Sequence, residues 1–244
     1  SLMDRISETN RPFFELVSDR VLVQLIGNGH AAEARDWFSR HVDLHDCGQI
    51  EEFYRWLAKN RPELAADWCE RLTGRARTRT RLIALSHMCK TGRADDALAY
   101  LSKIGGKDLG MCCAQIVVCC QQSRNYETAL AAWRKIPGDF AKRDELLNQS
   151  FHGWLGSDYG EAVKAMESLG PAEIRSLLTS DPVLLTMLSN NGGEVILSQS
   201  RKLPFSKDFL PAFAKVSGLL GSADVGIGMR VLEVVPAGEG RDML

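Results

Sequence analysis

Residues 88–101 decide the fold of this chain, and they run Met88-Cys89-Lys90-Thr91-Gly92-Arg93-Ala94-Asp95-Asp96-Ala97-Leu98-Ala99-Tyr100-Leu101. Gly92 and Arg93 form a turn signal between two stretches whose apolar residues recur at helical spacing. Ala97 lies in the middle of the second stretch, and Leu101 follows it one turn later on the same helix face. Two such helices joined by a short turn predict an antiparallel helical hairpin.

A small residue equivalent to Ala97 recurs along the chain at a nearly constant interval. The successive steps are 31, 32, 32, 33, 33 and 31 residues. Two packed helices need a small side chain at their closest contact, which explains a recurrent alanine there. A single hairpin cannot bury its own apolar face, so each hairpin must pack on the next. The series consists of Ala34, Ala65, Ala97, Ala129 and Ala162, followed by the weaker members Val195 and Gly226.

This periodicity predicts an all-α fold, an α-solenoid of about seven antiparallel helical hairpins. Prolines that follow several of the second helices support it, because a helix cannot continue through a residue without an N–H. We expect an irregular hairpin at 171–204, where Pro182 interrupts the first helix and residues 190–193 form the turn. The predicted domains are an N-terminal extension at 1–12, the solenoid at 13–235 and a flexible tail at 236–244.

Composition and charge are those of an ordinary globular chain, with 45% hydrophobic and 25% charged residues in 244. Lys and Arg number 30 against 31 Asp and Glu, which excludes a strongly basic nucleic-acid binder but not a local basic patch. No run of apolar residues is long enough to span a membrane, so we expect no membrane partner. The seven cysteines form no CxxC pair, which favours reduced thiols in a cytoplasm-like intracellular compartment, without specifying an organelle.

The stretch at 88–101 resembles a pentatricopeptide unit through its CK-x-G-R-x-D-x-A-L run. The chain as a whole is similar to the tetratricopeptide-like superfamily of helical-hairpin repeats. That resemblance implies a right-handed superhelix whose first helices line a concave inner surface. In pentatricopeptide proteins a polar residue of the first helix contacts a base. The equivalent positions here are mostly apolar, namely Asp19, Ile50, Leu82, Ala114 and Leu147.

A mainly polar stripe is predicted on the first helices, at the positions ten and fourteen residues before each small residue. These positions are four residues apart and therefore share one helix face. Stacked hairpins would align them into a surface that could hold a peptide or protein segment, and a merely solvated face is the alternative. The polar members are Arg20, Gln24, Glu51, Arg55, His87, Gln115, Asn148 and His152.

A cluster of arginines lies at the turn into the third hairpin and at the start of its first helix. Clustered guanidinium groups bind phosphates or carboxylates in a bidentate manner. The cluster is therefore a candidate site for an anion or RNA, and the alternative is a solvated turn. Its members are Arg71, Arg75, Arg77, Arg79 and Arg81.

No metal, cofactor or catalytic site is predicted. Cys112, Cys113, Cys119 and Cys120 lie in an apolar helix and are expected to be core residues. Glycines at 105–110 and 226–228 do not follow a strand, as a nucleotide-binding loop requires. The densest set of potential metal ligands is expected to be a polar loop between repeats, because its residues share no helix face, and it comprises His41, Asp43, His45, Asp46 and Cys47.

The sequence therefore predicts a non-enzymatic scaffold that binds a protein or peptide on the concave face of a helical-repeat solenoid. One alternative is a pentatricopeptide-like RNA-binding protein that uses the arginine cluster. Another is a structural subunit of a larger assembly.

Overall fold

The computed structural model describes residues 20–41, 47–204 and 210–223. Helices are the only regular secondary structure within these ranges, so the prediction of an all-α fold is confirmed. The chain divides into two compact units, Ser1–Cys119 and Cys120–Leu244. The predicted terminal segments at 1–12 and 236–244 lie outside the described ranges.

The helices of the first unit form successive pairs. The helix α7 begins in this unit, and its residues 120–122 belong to the second. A short 3₁₀ segment, Leu101–Lys103, follows α6. The helices are α1 (20–27), α2 (Ala31–His41), α3 (Cys47–Asn60), α4 (Pro62–Arg71), α5 (Gly74–Lys90), α6 (Ala94–Tyr100) and α7 (Lys107–Gln122).

The second unit continues the pairs, but the first helix of its sixth pair is broken. The break between Leu178 and Asp181 precedes Pro182, as the sequence predicts, because proline has no N–H to continue the helix ladder. The helices are α8 (Tyr126–Trp133), α9 (Arg143–Ser157), α10 (Tyr159–Met166), α11 (Pro171–Leu178), α12 (Asp181–Ser189), α13 (Gly193–Ser200) and α14 (Leu210–Ala223).

Four of the helix pairs are joined by the same turn, in which one residue adopts a left-handed backbone. That residue is Gly29, Gly92, Arg124 or Asn191, with φ of 85°, 78°, 57° and 56° respectively. The residue after it donates its N–H to a carbonyl five residues earlier, at 2.8 Å in all four turns. This is the hydrogen bond of a Schellman motif, which satisfies a free carbonyl at the end of the first helix.

The other two pairs, α3–α4 and α9–α10, are joined by a single non-helical residue. Arg61 has φ −144° and ψ 67°, and Asp158 has φ −148° and ψ 85°. Each donates its N–H to the carbonyl four residues before it, at 2.7 Å. The described hairpins therefore use two turn types.

The recurrent small residue is buried in the first five pairs, as the sequence predicts. Ala34, Ala65, Ala97, Ala129 and Ala162 are all 0% exposed. In the sixth pair the prediction of Val195 is wrong by one residue, since Ile196 is the buried residue and Val195 is only half-buried. The left-handed Asn191 fixes this register, because Ile196 follows it by five residues, as Ala97 follows Gly92. Gly226 lies outside the described residues.

Within each unit, neighbouring pairs pack on one another. In the first unit α5 packs on α3, α4 and α6, and α2 packs on α4. Phe38, Phe53 and Trp68 join three helices there, with ring centroids 5.3 to 5.9 Å apart. In the second unit α9 packs on α8, α10, α11 and α12. Its Trp154 stacks on Tyr126 at 5.8 Å.

Candidate functional site

A groove with a positively charged lining lies on the first unit, and we call it the basic groove. Its volume is about 560 Å³. Arg55 and Lys59 enter it from α3, and Arg79 and Lys90 enter it from α5. All four side chains are exposed, and none of the described residues that line the groove carries a carboxylate. The lining therefore favours an anionic ligand.

The floor of the basic groove is aliphatic and polar. Leu82 and Ile83 are half-buried in α5, and Ser86 lies one turn further along the same helix. Gln115 reaches the groove from α7, where its amide also donates to the Cys119 sulfur at 3.2 Å. The groove therefore combines surrounding positive charge with apolar surface.

His87 lies in the basic groove among positive charges. Burial, together with the charges of Arg93, Lys59 and Lys90, lowers the pKa of its imidazole. Each of these causes disfavours the protonated ring. A bound anion would oppose the charge effect and raise the pKa again.

The structure brings part of the predicted polar stripe into this groove. Arg55, His87 and Gln115 come from three successive first helices and line it together with Arg79 of the arginine cluster. The stripe residues Arg20 and Gln24 are exposed on α1, and Glu51 belongs to α3.

The remaining stripe residues, Asn148 and His152, line a different groove, in the second unit. Its volume is about 400 Å³, and Glu145 and Ser180 also line it. Asn148 accepts a hydrogen bond from the Ser176 hydroxyl at 3.2 Å. One carboxylate and no Lys or Arg stand among its described lining residues, so this groove lacks the positive charge of the first.

Lys59 and Lys90 were not among the predicted site residues. They lie six and seven residues before Ala65 and Ala97, about one turn beyond the stripe. A signal was nevertheless present, because residues 71–94 contain no Asp or Glu. That segment holds seven cationic residues, Arg71, Arg75, Arg77, Arg79, Arg81, Lys90 and Arg93.

The arginine cluster does not form one surface in the described structure. Arg71 lies 3.4 Å from Asp67 on α4, and Arg79 lines the basic groove. Arg77 lines a neighbouring groove, and Arg75 belongs to the first turn of α5. Arg81 is buried, with only 5% of its side chain exposed. Of the cluster, Arg77 and Arg79 therefore line grooves, whereas Arg71 pairs with Asp67 and Arg81 is buried, and the prediction of an anion or RNA site stays a prediction.

Arg81 is the centre of a network of hydrogen bonds between helices. It donates to Glu70 of α4 at 2.7 and 3.2 Å and to Asp108 of α7 at 3.0 Å. Tyr100 of α6 also donates to Glu70, and Thr78 donates to Asp108 at 2.9 Å. The network connects four consecutive helices through charge-assisted hydrogen bonds.

The pKa values of this pair have a common explanation. Burial alone would lower the pKa of Arg81, but its hydrogen bonds to Glu70 and the charge of that carboxylate leave it raised. Burial alone would raise the pKa of Glu70, but hydrogen bonds from Arg81 and Tyr100 leave it lowered. The two groups therefore stabilise each other in their charged forms.

Six of the cysteines are buried free thiols. Cys112, Cys113, Cys119 and Cys120 are buried, as are Cys69 and Cys89. Burial raises the pKa of Cys112 to about 12 and also raises that of Cys69. A thiol with a raised pKa is protonated at neutral pH and is a poor nucleophile.

No group of three or more metal-binding side chains occurs among residues 20–41, 47–204 and 210–223. Of the predicted loop between repeats, Asp43, His45 and Asp46 lie outside these ranges. His41 ends α2, and Cys47 begins α3.

None of the described helices has the length and apolar character needed to cross a bilayer.

No protein-family model, curated protein or solved structure matches this chain.

Proposed function

We propose that the protein is a non-enzymatic scaffold of stacked helical hairpins that binds an acidic segment of a partner protein in the basic groove. One observation carries the proposal: Arg55, Lys59, Arg79 and Lys90 converge on one groove from two neighbouring first helices, around an aliphatic floor. Such a lining complements a segment that carries carboxylates and some apolar surface.

The packing within each unit supports a solenoid. Each first helix that contacts its neighbour contributes to a common face, as in other helical-repeat proteins. In the first unit, α3 and α5 are first helices of successive pairs and pack directly on each other. The basic groove lies along this contact, where a repeat protein would present its ligand surface.

A protein segment fits the groove better than RNA does. Single-stranded RNA is recognised largely by stacking its bases on aromatic side chains. The described lining contains no Phe, Tyr or Trp, so His87 is its single aromatic ring, and Leu82 and Ile83 form the apolar floor. Aliphatic side chains of a peptide bury well against such a floor.

The test is a binding titration with a glutamate-rich, fluorescein-labelled peptide, amidated at its C terminus and followed by fluorescence anisotropy. We expect binding that weakens with added salt. The double variant Lys59→Glu/Lys90→Glu should weaken binding by about tenfold or more, because two attractive charges become repulsive. Lys103→Glu is the matched control, since Lys103 is exposed in the same unit but does not line the groove.

Three outcomes would contradict the proposal. The first is absence of salt-dependent peptide binding, and the second is peptide binding that the double variant leaves unchanged. The third is that a labelled single-stranded RNA binds and is lost in the double variant while the peptide does not bind, which would favour the RNA alternative.

A further inference from the structure

A second groove adjoins the basic groove on the first unit, and we call it the Met111 groove. Its volume is about 480 Å³. Met111 and Asp108 of α7 line one side, and Arg77 and Thr78 of α5 line the other. The groove therefore lies along the N-terminal halves of two successive first helices.

The two grooves form one continuous surface. Arg79 and Leu82 line both of them. On α7, Met111 of one groove and Gln115 of the other are one turn apart on the same helix face. The joint surface follows α5 over its 17 residues, or about 25 Å, which an extended segment of about seven or eight residues would cover.

The two ends of this surface differ in chemistry. Lys59 and Lys90 lie at the end where α5 finishes. At the other end Met111 is 41% exposed, one of two large hydrophobic side chains exposed among the described residues. A methionine adapts its shape to an apolar partner and is common on binding surfaces.

The one carboxylate at the apolar end does not oppose an acidic ligand strongly. Asp108 accepts hydrogen bonds from Arg81 at 3.0 Å and from Thr78 at 2.9 Å. Its charge is therefore partly offset within the protein, since Arg81 also pairs with Glu70. Arg77 and Arg79 line the same groove and add positive charge.

We propose that the ligand is an extended acidic segment whose one large apolar side chain packs on Leu82 and Met111 while its carboxylates approach Lys59 and Lys90. This inference rests on the function proposed above. It adds that the apolar side chain lies at one end of the ligand and the carboxylates lie at the other. The segment needs no free terminus, because all of the complementarity comes from side chains.

The experiment compares labelled, amidated peptides of about eight residues that carry leucine at one end and glutamates at the other. Each is made in both sequence orders, and each has a partner with serine in place of leucine. For one of the two sequence orders, the peptide with leucine should bind wild-type protein about tenfold more tightly than the same peptide with serine, because leucine buries apolar surface. Met111→Ser and Met111→Gln should remove this preference and leave the salt-dependent binding.

Leu185→Ser is the matched control, since Leu185 is the other exposed large hydrophobic residue and lies in the second unit. It should leave the preference for leucine unchanged. Circular dichroism of each variant checks that the helices are retained, as expected for changes at exposed positions.

The outcomes separate this inference from the proposed function. If leucine and serine peptides bind equally in both orders while Lys59→Glu/Lys90→Glu weakens both, the apolar contact is refuted and the basic groove stands. If the preference for leucine persists in both Met111 variants, the apolar side chain of the ligand does not pack on Met111 and the inference is refuted as well. If no acidic peptide binds, the proposed function itself fails.

Discussion

The two units place different side chains on the exposed face of their first helices. In the first unit this face carries Lys59 and Lys90 around Leu82 and Ile83. In the second, the equivalent groove is lined by Glu145, Asn148 and His152 among others. Total charge does not explain the difference. Residues 1–119 hold 17 Lys and Arg against 16 Asp and Glu, and residues 120–244 hold 13 against 15.

The buried positions of the two units, by contrast, are alike. Ala97 in the first and Ala162 in the second are both 0% exposed at the same place in their hairpins. Close packing constrains the side chain at this position in both hairpins, whereas solvent-facing positions carry no such requirement. The comparison shows that the two units share small buried residues in their hairpins, while the placement of charge on the first helices differs between them.

The largest expected effect concerns the hydrogen-bond network around Arg81, which lies in the first unit. Arg81→Met should lower the free energy of unfolding of that unit by about 2–3 kcal/mol, because Glu70 and Asp108 lose the charged hydrogen bonds of a buried cation while water still reaches Glu70. Arg143→Met is the counterpart in the second unit. Arg143 lies 3.9 Å from the Trp133 ring centroid and 3.8 Å from Glu173, so we expect a loss of only about 1 kcal/mol.

Hydrogen exchange measured by mass spectrometry distinguishes these losses, because it reports on each unit separately. Equal losses of stability in the two variants would contradict the comparison.

The loss of stability caused by Arg81→Met should also depend on pH. The pKa of Glu70 is lowered in the folded wild-type protein, so its ionised carboxylate contributes to the free energy of unfolding. This contribution is fully present above the pKa of about 4.3 that Glu70 has in the unfolded chain, and it is lost as the pH falls through the lower pKa of the folded state. The two proteins should therefore converge in stability at acidic pH.

A smaller effect is expected at the hairpin turns, which the two units share in geometry but not in sequence. Gly92 and Arg124 both have a left-handed backbone. Gly92→Ala should cost about 1 kcal/mol, and Arg124→Gly should gain up to about 1 kcal/mol, since glycine tolerates this conformation. An added Cβ at Gly92 meets no atom within 4 Å, so the cost comes from the backbone alone.

Thermal unfolding of both variants measures these changes. Gly156→Ala serves as a control, because Gly156 is an exposed helical glycine without a left-handed backbone. It should stabilise slightly, by about 0.5–1 kcal/mol. Destabilisation by Arg124→Gly would show that the two turns are not equivalent.

The smallest effect is a pH dependence of peptide binding that belongs to the basic groove. His87 there has a lowered pKa, caused by burial and by Arg93, Lys59 and Lys90. A bound carboxylate raises that pKa, so the complex takes up a proton and affinity should rise about two- to threefold from pH 8 to pH 6. His87→Gln should abolish this dependence and His152→Gln should not. A Kd that is constant with pH in the wild-type protein would contradict this role of His87.

Much of the fold could be predicted because packing imposes it at short range. The period near 32 predicts the paired helices and the burial of Ala34 through Ala162. Pro182 marks the break between α11 and α12. The shift from Val195 to Ile196 was not predictable, because a broken first helix changes the length of the pair and the sequence does not show by how much.

The candidate site was only partly predictable, for a different reason. Arg81 stands within a run of arginines that resembles a surface cluster. Its partners are 11 and 27 residues away, on α4 and α7, and only the packing of helices brings them together. Lys59 and Lys90 are likewise 31 residues apart, and they enter one groove because α3 packs on α5.

The two turn types have a consequence for how this chain could be lengthened or shortened. Along the chain they occur in the order left-handed turn, single-residue turn, left-handed turn, and that order then repeats. Equivalent turns of the two series are 95, 97 and 99 residues apart, at Gly29 and Arg124, Arg61 and Asp158, and Gly92 and Asn191. A block of three hairpins is therefore the smallest unit that contains one full cycle of turn types. Inserting or deleting one such block would leave the order of turn types along the rest of the chain unchanged.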